Sequence, residues 1–96
     1  MKVLLTADAV GGVWQYVLDL ARGLVRLEIE PVIALLGPSP SADQIEAAGG
    51  LKLIDTGLPL DWTAPDRASV REAGEEIARL ARAEAADVVQ LHPAPL

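Results

Sequence analysis

Four short apolar segments recur along this chain, at Lys2–Leu5, Pro31–Leu36, Leu51–Asp55 and Asp87–Leu91. The first two, KVLL and PVIALL, lack the apolar-polar alternation of a strand wetted on one face. Such runs read as strands covered on both sides, the situation of a parallel sheet held between helices. Pro31 is acceptable at a strand's first position, where no ladder donor is needed.

The intervening segments have helical spacing. From Val13 to Leu27, Val13, Val17, Leu20 and Leu24 form one stripe and Trp14, Leu18, Ala21 and Val25 an adjacent one, leaving Gln15, Asp19, Arg22 and Arg26 opposite. Ser41 and Gln44 make a capping-box pattern that starts a short helix, and Gly49-Gly50 ends it. After the loop TGLPLDWTAPD, which carries Trp62, Asp66 or Ser69 caps a third helix. Its apolar side is Val70, Ala73, Ile77, Leu80 and Ala81; Arg71, Glu72, Glu75, Glu76, Arg79 and Arg82 form its solvated side, with Glu75 and Arg79 in the favourable order for an ion pair. The order βαβαβαβ calls for right-handed crossovers and helices on both faces. The expected fold is α/β: a Rossmann-like three-layer sandwich with a four-stranded parallel sheet of order 3-2-1-4, in one domain over residues 1–96.

Composition narrows the function. The chain has 96 residues, 51% apolar, with no Phe and only Trp14, Trp62 and Tyr16 as aromatics, so its core rests on Leu, Val, Ile and Ala. A net charge of −6 argues against nucleic acid, whose binding takes clustered Lys and Arg. The lack of cysteine excludes a disulfide scaffold, a thiolate metal site and a cysteine nucleophile, and fits a reducing compartment, so a cytoplasmic location is expected. Asp8 interrupts the first apolar run before it reaches signal-peptide length, and no stretch approaches the roughly 18 apolar residues of a membrane span.

In doubly wound sheets, ligands bind beyond the carboxyl ends of the strands, where the strand order reverses. Order 3-2-1-4 makes the first and fourth strands neighbours there, so the loop Ala7–Gly12 and the residues His92 and Pro93 are expected to flank one crevice. Gly11 and Gly12 stand where strand gives way to helix. They either open the backbone to an anion or a sugar hydroxyl at the helix start, or simply make a tight turn. Asp8 has two open roles, accepting hydrogen bonds from a ligand hydroxyl or capping its own loop. His92, the one histidine, is a ligand contact or proton donor, or it finishes a turn. Trp14 is expected to pack, whereas Tyr16 lies on the polar side and reaches the cleft or solvent. Asp55, before Thr56 and Gly57, reads as an Asx-type turn.

Several motifs are missing. The dinucleotide fingerprint needs G-x-G-x-x-G and an acid about 20 residues on, yet the second strand runs out in Leu36-Gly37-Pro38, which disfavours NAD. The chain also lacks a phosphate loop of the NTPase type, a G-x-S-x-G elbow and metal-spaced histidines. No cofactor and no metal are expected.

The run MKVLLTADAVGGVWQYVLDLARGLVRLEIEPVIALLGP resembles the amino-terminal end of family 4 glycosyltransferases, retaining enzymes with two facing Rossmann-like domains. The Gly-Gly-Val turn, the YVLDLARGL helix and, later, DVVQLHP at Asp87–Pro93 carry the likeness, with DTGLPLDW similar to a bacterial subset. This resemblance implies that the chain is the first part of an acceptor-side domain, inactive alone, of an enzyme that moves a sugar from a nucleotide-diphosphate donor to an acceptor. It implies that the backbone at Gly11, Gly12 and Val13 lies in the interdomain cleft and that His92 stands at the cleft rim; it assigns no catalytic residue to this stretch. Donor and acceptor would be partners only of the complete enzyme, and the open edge of the fourth strand would pair with a second copy of the chain. Two departures stand out: Gln90 replaces a common histidine, and RLEIEPV replaces RGHEV, which loses the glycine that usually ends the first helix, so the left-handed cap is expected to be lost and Glu28 to be accommodated otherwise. The alternative is a non-catalytic flavodoxin-like domain that binds an anion or a partner in the same crevice.

Overall fold

The computed structural model describes residues 1–8, 12–57 and 67–90, and among these the side-chain surroundings are described for all but 12, 67–70, 72 and 73. The elements run β1 (Lys2–Asp8), α1 (Gly12–Arg26), β2 (Glu30–Leu36), α2 (Ala42–Ala47), β3 (Lys52–Asp55), α3 (Arg67–Ala83) and β4 (Val88–Gln90). All four strands are parallel, in the order β3-β2-β1-β4, as the sequence predicts.

Strand alternation divides the core into two layers. Val3, Leu5 and Ala7 of β1 and Ile33 and Leu35 of β2 meet Trp14, Val17, Leu18 and Ala21 of α1, with Ala48 joining from the end of α2. Leu4, Val32 and Ala34 point the other way, towards Ile77 of α3, with Leu80, Ala81 and Ile54 partly buried around them. Trp14 therefore packs, at 8% exposure, and the wide apolar side read for α1 is its sheet-facing side.

Boundaries shift for identifiable reasons. β1 runs on through Thr6, Ala7 and Asp8, because β2 beside it stays paired as far as Asp8↔Leu36. Pro31 is the second residue of an interior strand rather than its first. Glu30 donates its backbone N–H to Met1 O, so the next position faces β3, whose ladder begins only at Val32↔Lys52. Proline's missing donor thus falls two positions before the first donor that β2 offers to the β3 ladder, that of Ile33. β4 is only Val88–Gln90, and Val88 and Val89 remain 45% and 41% exposed. Among the described residues this strand pairs with β1 alone, leaving its outer edge open. On α3, Arg79 pairs with Glu76 one turn back, not with Glu75.

Helix ends follow local chemistry. The Ser41 side chain accepts from Gln44 N–H while the Gln44 side chain accepts from Ser41 N–H, closing the capping box of α2. At the end of α1, Ile29 N–H donates to Leu24 O and Glu28 N–H to Val25 O, a Schellman pattern whose left-handed residue is Glu28, at φ 63°. The missing glycine has therefore not changed the turn; Glu28 itself adopts the left-handed conformation. α3 ends identically, with Ala86 N–H on Ala81 O, Ala85 N–H on Arg82 O and Ala85 at φ 55°. A side chain there costs about 1–2 kcal/mol, partly offset by the greater freedom of an unfolded glycine. Glu28→Gly is therefore expected to stabilise the chain by about 0.5–1 kcal/mol in urea unfolding, and a loss of stability would mean the turn is not strained.

Candidate functional site

β1 has β2 on one side and β4 on the other, and the crossover changes faces between them: α1 and α2 cover one face, α3 the opposite one. This is the reversal point at which sheets of this class hold ligands. Because β1 and β4 are parallel, with Val3↔Val88, Leu4↔Val89 and Leu5↔Gln90, both deliver the chain to the same edge of the sheet. The two segments expected to form one crevice therefore depart from neighbouring strands.

Asp8 ends β1 at 5% exposure. Alternation puts it on the α3 side with Leu4 and Thr6, another buried polar residue. Asp8 is engaged within the fold rather than being a free carboxylate. Gly12 is the first residue of α1, and the first turn of that helix carries no acidic side chain. Its leading N–H groups have no partners within the helix, and their positive dipole end is not neutralised from within the turn. Val13 is half-buried against the α1 core layer, and Tyr16 is 58% exposed on the solvent side of the helix. Gly11 and His92 lie outside the described residues, as do Trp62 and Pro93.

The neighbouring strand ends are tied shut. Ser39 Oγ donates to Asp55 Oδ2 at 2.6 Å, and Thr56 donates to Leu35 O from both its backbone N–H, at 3.1 Å, and its Oγ1, at 2.7 Å. Asp55 therefore fastens the β2–α2 loop to the end of β3 instead of making an Asx turn of its own. Sequence reasoning missed this pairing because Ser39 and Asp55 meet only across the sheet; two prolines around Ser39 were the available signal that the loop is rigid. With β2 and β3 tied together in this way, the end of β1 is the strand end that leads directly towards the first turn of α1.

Charge sorts the possible ligands. The strands bring Asp8 and Asp55 to the carboxyl edge, whereas Lys2 and Lys52 stand at the amino edge beside Glu30 and Glu84. A carboxylate accepts from hydroxyls and repels phosphate, so an acidic carboxyl edge favours a hydroxyl-bearing ligand, whereas a helix start such as that of α1 favours an acceptor group. A shallow concavity elsewhere, between Val25, Ile29, Pro31 and Leu51, is less suited, because its charged side chains belong to the amino edge and Lys52 is already paired. Among the described residues no group of His, Asp and Glu forms a metal-binding cluster, and no helix is long and apolar enough to cross a membrane.

Comparison with known proteins returns no match: no family model, no curated protein and no solved structure is similar to this chain.

Proposed function

We propose that this chain is the amino-terminal, acceptor-side part of a retaining glycosyltransferase that transfers a sugar from a nucleotide-diphosphate donor to a hydroxyl-bearing acceptor. The observation that carries the reading is the adjacency of β1 and β4 at the point of strand reversal, with Gly12 opening α1 beside the buried Asp8. In this reading the backbone of Gly11, Gly12 and Val13 faces the cleft, where N–H groups bear on the donor's diphosphate or an acceptor oxygen. Asp8 lines the adjoining wall and accepts from acceptor hydroxyls, and Tyr16 and His92 flank the entrance. The chain contributes binding and orientation, and the groups that hold the nucleotide belong to a second domain outside these 96 residues. In isolation the open edge of β4 pairs with a second copy of the chain.

Titration calorimetry tests this directly. The isolated 96-residue chain should show no saturable binding of a nucleoside diphosphate in the micromolar range, whereas the polypeptide encoded by the complete reading frame should bind it and release it from a nucleotide sugar. Micromolar binding by the isolated chain, or a reading frame that closes soon after Leu96, would overturn the proposal in favour of a non-catalytic anion-binding domain.

A further inference from the structure

The described side chains of the two layers of this sandwich differ in number and kind. Among the described residues the layer under α1 contains ten buried hydrophobic side chains and the layer under α3 four, of which only Ile77 comes from α3. β4, which follows α3, is three residues long and exposed throughout. α3 and β4 also carry polar anchors at the amino edge. Glu84, one residue beyond α3, accepts from Lys52 Nζ of β3 at 2.6 Å and lies 3.8 Å from Lys2 Nζ of β1, and its side chain is only 17% exposed. Lys2 Nζ in turn lies 3.1 Å from Glu30 of β2. Asp87 grips β1 through two backbone contacts: its Oδ2 accepts from Lys2 N–H at 2.8 Å, and its own N–H donates to Lys2 O at 2.8 Å. Between these acids sits Ala85, held left-handed at φ 55°, the strained joint on which the chain turns from helix to strand.

We propose that α3 and β4 form one docking unit, latched to the amino edge of the sheet by Glu84 and Asp87, and that acid releases this unit while β1, β2, β3, α1 and α2 stay folded. The proposal stands on the anchoring geometry and is independent of any glycosyltransferase activity. The charged groups around Glu84 are Lys2 from β1, Lys52 from β3, Glu30 from β2 through its shared lysine, and Asp87 from the start of β4; α1 and α2 lie on the opposite face of the sheet.

The direction follows from these partners. The hydrogen bond from Lys52 leads in holding the Glu84 carboxyl below its usual range; the charges of Lys52 and Lys2 add to it and burial opposes them. A carboxyl depressed in the folded state stabilises above its unfolded pKa, and that contribution disappears as pH falls through the folded value. Lys2 is shifted upward, chiefly by its hydrogen bond to Glu30, so its contribution is complete below its ordinary value of 10.5 and is lost only as the solution becomes more alkaline than that. The latch is therefore closed at neutral pH and opens on the acid side. Release would uncover Leu4, Val32 and Ala34 and the flank of β1 on which β4 lies, removing one wall of the crevice.

Hydrogen exchange on the 96-residue chain tests the latch, with protection compared after correction for the intrinsic pH dependence of exchange. The amides of Ile77–Arg82, Asp87 and Val89 should share one opening equilibrium, distinct from and more frequent than that of Val32–Leu35. That opening should rise about two- to fourfold between pH 7 and about pH 4, the most that protonating one carboxyl of ordinary value 4.5 can contribute there. Glu84→Gln should open the unit about three- to fivefold more often at neutral pH and flatten its response to acid, leaving β2 unchanged. If that variant does not fold, Lys52→Met removes the same contact from the other side and carries the same expectation. Equal protection of α3, β4 and β2, or a variant that loosens all elements together, would overturn the proposal.

Discussion

Leu5→Ala is expected to lower the stability of this chain by about 2–5 kcal/mol, the range seen when a fully buried leucine is truncated and the space left behind does not collapse. Leu5 is fully buried in the middle of β1 and belongs to the layer beneath α1, with Trp14, Val17, Leu18 and Ile33. Its strand has partners on both sides, β2 and β4, so the backbone has little room to close the gap. A single domain of this size holds roughly 5–15 kcal/mol in total, so the variant should sit close to its unfolding transition at room temperature. Leu4→Ala is the internal control. Leu4 is equally buried but faces α3, which leads into the short, exposed β4 and can settle into the space, so its cost should fall at the lower end of the same range. Urea unfolding followed by circular dichroism reads both. A loss below about 1 kcal/mol for Leu5→Ala would contradict the packing described for the α1 layer.

The second large effect concerns activity. If the proposed glycosyltransferase function holds, Gly12→Val in the polypeptide encoded by the complete reading frame should reduce sugar transfer about a hundredfold, the order of loss that accompanies a displacement of roughly 1 Å in a bound reactant. Gly12 is the first residue of α1, where helical backbone accepts valine readily, so the unfolding free energy should change by no more than about 0.5 kcal/mol. In the proposed function the loss comes from a side chain beside the leading N–H groups of the helix, which a diphosphate or hydroxyl oxygen is proposed to approach. Activity near that of the unaltered enzyme, with the fold intact, would mean that Gly12 serves only the turn. Lost activity together with lost stability would point to the same structural role.

The sequence carried the sheet well because its signals there are local and redundant. KVLL and PVIALL are uninterrupted apolar runs, and the crossover rule turns four such strands separated by helices into one arrangement. The capping box at Ser41 and Gln44 was equally readable, since both partners lie within one turn. What escaped is what depends on distant partners. Nothing near Asp55 announces Ser39, and nothing near Glu84 announces Lys52 and Lys2. The choice of Glu76 over Glu75 by Arg79 depends on side-chain conformation, because both spacings bring charges together on a helix. Glu28 misled for another reason: the preference for glycine at a helix end is a difference of about a kilocalorie, which the rest of this fold overrides. At the crevice, the place of Gly12 at the strand-to-helix handover was legible, whereas the burial of Asp8 was not: the sequence puts Asp8 in the loop, and it is pairing with β2 that carries the strand through it.

Pro31 has one further effect. A β-ladder can slip by two residues without exchanging inward for outward side chains, which makes such slips the least penalised error in strand pairing. If β3 slid two positions towards the amino edge against β2, the backbone nitrogen of Pro31 would have to donate to it, and it has no hydrogen to give. The imino acid thus works as a ratchet tooth on an inner strand, fixing the phase at which the third strand enters the sheet and, with it, the height at which Asp55 meets Ser39.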